Sequence, residues 1–175
     1  MRKQKGFSLI ELLIVIAIIL IIAAIAIPSL LRSRMLANQS SAASTIRTLI
    51  TAQSTYISTY GTTQGYAINL VVLGPAGIVC PPPPAIPPPT NACLIDGQLS
   101  ATGVKNSYNF NMNPGGGGPG IGPTNFASYA SPVAIGSTGI NDYCGGDDGV
   151  LYFRPATGLG AAVPCGPIPP FIVLN

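Results

Sequence analysis

Two hydrophobic regimes follow one another along the first third of the chain. From Leu9 to Ile27, eighteen of nineteen positions are apolar, on every face of any helix they form. At 1.5 Å per residue this run reaches ~28 Å, enough to cross the hydrocarbon core of a bilayer. After Pro28 the pattern becomes one-sided: Ile46, Leu49, Ile50, Tyr56, Ile57 and Tyr60 fall at i, i+3, i+4, i+10, i+11 and i+14. That spacing predicts a helical stripe facing a core, and it reads Tyr56 and Tyr60 as packing residues rather than an electron path. No glycine lies between Phe7 and Gly61 and Pro28 is the lone proline there, so one helix of up to 54 residues is expected. Pro28 removes a backbone donor and marks a kink or local melting point, although membrane helices also tolerate proline.

From Gly61 onward the chain holds 20 of its 21 glycines and 17 of its 18 prolines, which rules against further long helices. Short β-rich runs stand out at Asn106–Met112, Asn125–Ala134 and Gly149–Arg154, the last preceded by the tight-turn signal Asp147-Asp148-Gly149. Ala92–Leu99 reads as a short turn or helix leading into them. The expected fold class is α+β: a long N-terminal membrane-spanning helix packed on a small antiparallel sheet of three or four strands. The organisation is a leader (residues 1–6), a helix (7–60, of which 7–27 span a membrane and 28–60 are amphipathic) and a β-rich head (61–175). The stretch Asn113–Pro123, NPGGGGPGIGP, reads as a surface connection.

Charge and composition exclude several functions. Beyond Gly6 the formal balance is five basic to five acidic residues, which offers no basic footprint for nucleic acid. With no histidine, the chain cannot build Ser-His or Cys-His nucleophile pairs or a typical catalytic zinc site. No phosphate-binding loop or Cys-x-x-Cys appears, so no enzyme activity, catalytic residue or cofactor is expected. Asp142, Asp147 and Asp148 cluster in NDYCGGDDG as weak oxygen-ligand candidates for calcium; their spacing suits a turn between strands better. Asp147 and Asp148 are also a poor acid/base pair, because neighbours on a strand point to opposite faces.

Arg2, Lys3 and Lys5 precede the apolar run, which by the positive-inside rule keeps the N-terminus in the cytoplasm and exports the remainder. Cys80, Cys93, Cys144 and Cys165 all lie on the exported side, so two disulfides are expected. Three connectivities exist. Cys80 and Cys93 bracket PPPPAIPPP, whose extended polyproline conformation must reverse near Ala85-Ile86, or through a cis proline, for the two to meet. Pairing Cys80 with Cys144 or Cys165 avoids that bend. The pairing 80–93 with 144–165 is preferred.

Glu11 is the one charge inside the apolar run, where it costs about 2.5–3.5 kcal/mol at a span's centre and calls for a partner. A secretory signal peptide, cleaved near Ala24-Ile25-Ala26, would not carry it, and an uncleaved anchor for an exported, monomeric domain leaves it unexplained. Cleavage after Gly6 would explain it. The new amine of Phe7 would lie four residues before Glu11, about 6 Å along a helix. Within one chain they would share a helix face; between chains, Glu11 of an arriving subunit could neutralise the amine of one already placed and set axial register. Glycine at position 6 suits close approach of a peptidase.

The residues Lys5-Gly6-Phe7-Ser8-Leu9-Ile10-Glu11-Leu12-Leu13-Ile14-Val15-Ile16-Ala17-Ile18-Ile19 resemble the type IV prepilin signal, and Pro28 matches a proline usual in type IV pilins and type II secretion pseudopilins. The resemblance covers residues 1 to about 35. It implies cleavage after Gly6 by a prepilin peptidase, N-methylation of Phe7, recruitment through Glu11 and polymerisation of the helices into a homopolymer. It also implies storage among inner-membrane lipids, an inner-membrane assembly platform as partner and a pilus at the cell surface, or alternatively a periplasmic pseudopilus. Some pseudopilins bind calcium in this part of the head.

Overall fold

The computed structural model describes residues 6–75, 77, 79–82, 85–116, 122–157, 165–166 and 172–174. Helix α1, Leu9–Gln64, runs 56 residues and passes through Pro28 without a break in the helix. It extends one turn beyond the expected end, because a single glycine costs a helix interior only about 1 kcal/mol and Gly61 does not stop it. Gly65 stops it, with φ 66° and its N–H donating to the Gly61 carbonyl at 3.4 Å. The first turn into the head then folds back on α1.

Two short helices, α2 (Leu70–Leu73) and α3 (Gly97–Thr102), lead into the sheet. Asn69 and Asp96 cap them, their side chains accepting from Val72 N–H at 3.0 Å and Leu99 N–H at 2.9 Å. The sheet is an antiparallel meander of six strands in chain order: β1 (Val104–Lys105), β2 (Tyr108–Gly115), β3 (Asn125–Pro132), β4 (Asn141–Gly146), β5 (Leu151–Pro155) and β6 (Ile172–Val173). Asn106 and Ser107, both at positive φ, make the two-residue turn between β1 and β2. β2 takes in Asn113, Pro114 and Gly115, which the sequence placed in a loop. β1 pairs only with Tyr108 and Asn109, so Pro114 sits where β2 is an edge and a missing donor is tolerated.

The core forms where the stripe of α1 packs on β3, β4 and β5, with side chains of β2 joining it. Ile46, Leu49 and Tyr56 are buried as expected, with Ile50, Ile57 and Tyr60 partly so. Gly145 of β4 allows the close approach, since a Cβ there would meet Ile50 Cδ1 at 2.5 Å and Ile46 Cγ2 at 2.9 Å. The gap in the stripe at i+7 is Gln53, fully buried. Its amide pairs with the backbone of Ala67, Nε2 donating to the carbonyl and Oε1 accepting from the N–H, each at 2.9 Å. This pair pins the chain leaving α1 against the helix. Tyr56 and Tyr60, with rings 4.9 Å apart, donate to the carbonyls of Pro89 at 2.9 Å and Pro87 at 2.6 Å, and so fasten the proline-rich segment to the far end of α1.

Burial drives the Tyr108 phenol well above its usual range, with the neighbouring Tyr143 and Asp142 adding to the shift, and burial also raises Tyr143. Tyr108 Oη donates to the Asn141 carbonyl at 3.0 Å. Both folded-state values lie above the ordinary ~10, so the stabilisation they represent is complete below pH ~10 and lost as pH rises through the folded values. Thermal melts followed by circular dichroism are therefore expected to show a head whose stability holds to about pH 10 and falls beyond it. A melting midpoint that stays flat through the tyrosine range would contradict this.

Candidate processing and assembly segment

Residues 6–8 precede α1 in non-helical backbone, and Gly6 and Phe7 are exposed, Phe7 at 86%. A Cβ placed on Gly6 would meet nothing within 4 Å, so the Gly6–Phe7 bond is sterically open. Ser8 is the N-cap, extended at φ −77° and ψ 140°. Its backbone N–H donates to Glu11 Oε2 at 3.0 Å, the arm of a capping box that reaches back from the third helical residue. Ser8 is the residue that reasoning about Glu11 overlooked, although Ser-x-x-Glu before an apolar run is a readable cap signature. The carboxylate is thereby held one residue from the atom that cleavage after Gly6 would turn into an amine.

Past this cap, the apolar part of α1 makes no contact with the head. Its side chains are exposed on every face, Leu9 at 81% and Ile25 at 74%, and the most apolar 18-residue window has none of its residues buried. Among the described residues α1 is the one helix long and apolar enough to cross a membrane.

A family model described as the prokaryotic N-terminal methylation motif matches residues 1–27. The chain carries that motif. The chain is 46% identical over 56 residues to the type IV major pilin protein PilA of Myxococcus xanthus, 32% of this chain and 26% of the relative. It is 44% identical over 73 residues to the type IV wide pilus major component PilA4 of Thermus thermophilus, 40% of this chain and 56% of the relative. The chain thus spans from about a quarter to just over half the length of these curated relatives. No solved structure matches it. The methylation motif falls on the segment where Gly6, Phe7 and Glu11 stand together, while Pro28 lies one residue beyond it.

The other residues singled out lie in the head. Disulfides join Cys80 to Cys93 and Cys144 to Cys165. Ala85 N–H donates to the Pro82 carbonyl at 3.2 Å, beside the expected reversal at Ala85-Ile86; Pro83 and Pro84 lie outside the described residues.

The three aspartates stand apart in the fold. Asn141–Gly146 is the strand β4 rather than part of a turn, and Asp142, 2% exposed, accepts from Arg154 Nε at 3.2 Å. Asp148 accepts from Val150 N–H at 3.0 Å and from the Tyr152 hydroxyl at 2.6 Å, while Asp147 faces solvent. Among the described residues no three acidic, cysteine or histidine side chains converge on a metal-sized site.

The aspartate of β4 serves a different purpose. Tyr129, Cys144 and Tyr152 stand in register across β3, β4 and β5 on the face away from α1, with Asp142 and Arg154 paired beside them. Cys165 crosses this face through its disulfide, and Thr157 N–H reaches Asp142 Oδ2 at 3.4 Å. The sheet is therefore buried on both sides at its centre, the second side by a small tyrosine cluster, a disulfide and an ion pair.

Proposed function

We propose that this chain is a structural subunit of a type IV pilus, with assembly as its activity. The observation that carries the reading is the unpartnered apolar length of α1, capped by its one charge, Glu11, beside the open Gly6–Phe7 bond. A helix apolar all round is stable only in lipid or among other such helices. In this reading it occupies both in turn. The subunit is stored in the inner membrane with its N-terminus in the cytoplasm, and a prepilin peptidase cuts after Gly6. Phe7 is then N-methylated, and an inner-membrane assembly platform inserts the subunit into a helical homopolymer whose core is the 7–27 segments. The heads tile the outside. Similarity to two type IV pilus components, together with the methylation motif over residues 1–27, supports this reading.

The test is the intact mass and N-terminal sequence of the protein purified from membranes of its native host. The expected terminus is N-methylated Phe7. A terminus at Met1 or Ile27 would overturn the reading and leave an anchored or secreted head.

A further inference from the structure

The β3–β4 loop, residues 133–140, is tightly built yet leaves its largest apolar side chains outside. Ala134 accepts from Ser137 N–H at 3.2 Å, Thr138 N–H at 2.8 Å and Thr138 Oγ1 at 3.0 Å, and Gly136 N–H donates to the Gly139 carbonyl at 2.8 Å. Val133 N–H ties the loop to the Ser107 carbonyl at 3.0 Å. A loop closed in this way cannot fold its aliphatic residues inward. Val133, Ile135 and Ile140 remain 54%, 52% and 49% exposed.

Position gives this apolar surface its meaning. Asn38 Nδ2 donates to the Thr138 carbonyl at 3.2 Å, and Gly136 and Ser137 share a shallow cavity with Leu31, Arg32 and Met35 of α1. The loop is thus the end of the head nearest the apolar segment. Leu31 follows Ile27 by four residues, about 6 Å of helix. The headgroup layer on one side of a bilayer is about 5–8 Å thick, so a helix spanning the hydrocarbon from Leu9 to Ile27 brings the near edge of this loop, beside Leu31 and Arg32, to lipid headgroup level, while its contact with Asn38 lies about 16 Å beyond Ile27. Arg32 and Arg34, both exposed, follow about 8 and 10 Å of helix beyond Ile27, and none of the five acidic residues falls within 28–38 or 133–140.

We infer that residues 133–140 dock the head onto an anionic lipid surface while the subunit is stored. The exposed apolar side chains of the loop press into the headgroup layer, and Arg32 and Arg34 meet the phosphates, the combination that holds amphipathic elements at an interface. The head is thereby fixed against the membrane until extraction breaks the contact. The occupant is lipid rather than a second copy because the surface is continuous with the spanning segment and lies in the plane that segment defines. The inference rests on the membrane-stored state proposed above.

The chain has no tryptophan, so single substitutions report their own depth. The full chain would be reconstituted in anionic vesicles containing brominated lipid, with tryptophan at one of three sites. Val15→Trp reports on the span and Ile135→Trp on the loop. Ile86→Trp reports on the far end of the head, beside the proline held by Tyr60, about 44 Å of helix beyond Leu31. The expected result is quenching of Ile135→Trp severalfold above Ile86→Trp, weakened when the anionic lipid is replaced by a zwitterionic one. If Val15→Trp is quenched while Ile135→Trp behaves like Ile86→Trp, the docking inference fails and membrane storage stands. Blue-shifted but unquenched emission from Ile135→Trp would assign the surface to a second copy and overturn it as well. If Val15→Trp itself escapes quenching, membrane storage falls and docking with it.

Discussion

Glu11→Ala is expected to abolish filaments while leaving cleavage after Gly6 intact. In the proposed processing the peptidase would meet Gly6 and Phe7, which are exposed and precede the helix, and alanine disturbs neither. Removing the carboxylate also removes its cost in lipid, about 2.5–3.5 kcal/mol at a span's centre, so the variant should be retained in the membrane at least as well. In the assembly proposed above, what it loses is the group that would neutralise a Phe7 amine at a fixed depth. Two variants separate that role from helix capping, because Glu11 also accepts the Ser8 N–H. Glu11→Gln keeps an acceptor for that N–H but carries no charge, so it should also fail to assemble; Ser8→Ala weakens the cap residue and should still form filaments. The readouts are the processed mass, the membrane fraction and the sheared surface fraction. Wild-type assembly by Glu11→Gln would mean that capping, and not charge pairing, is what the carboxylate provides.

The largest stability effect is expected at Asp142. Its side chain and that of Arg154 are 3% and 2% exposed, and together they place two opposite charges beneath the covered face of the sheet. Asp142→Ala leaves the guanidinium buried without this carboxylate, a loss of about 3–5 kcal/mol in comparable sites. That is a large part of the 5–15 kcal/mol by which a domain of ordinary size is stable. Replacing both members, as in Asp142→Ala with Arg154→Met, removes the buried cation together with its carboxylate and should recover much of the loss. Denaturant titrations of the single and double variants decide it. Equal destabilisation in both would show that packing, rather than charge, accounts for the effect. Because Cys144 neighbours Asp142 on the same face of β4, opening its bond to Cys165 should weaken the same region. The loss there is about 3 kcal/mol for a loop of this size.

Legibility in the sequence followed periodicity. The long helix, its change from all-round to one-sided apolarity at Pro28, and the candidate segment Gly6-Phe7-Glu11 depend on neighbours within one or two turns, and each was readable without the fold. β2, β3 and β5 were found where β-rich runs were found, and Asp147-Asp148-Gly149 does turn, with Gly149 N–H donating to the Gly146 carbonyl at 3.1 Å. β4 was not readable. Its residues NDYCGG carry weak strand propensity, and only pairing on both edges, with β3 and β5, makes them the middle of a sheet. β1 and β6, two residues each, are likewise made by their partners. Polar residues in the core escaped notice for the same reason. Gln53 and Asp142 look solvent-facing until Ala67 and Arg154 arrive to satisfy them, from 14 and 12 positions away.

By itself, then, the sequence determined a membrane-length helix, a stripe that must meet a core, and a lone carboxylate four residues from a glycine–phenylalanine bond. Those properties are local: helix period, hydrophobic length and charge are set by residues that touch whatever the rest of the chain does. Only the tertiary structure decided which aspartate is buried and which is exposed, that NDYCGG is a central strand, and that an apolar loop is held against α1 just beyond its apolar segment. These depend on contacts between distant positions, whose worth is fixed by desolvation and register, and neither exists until the elements have packed.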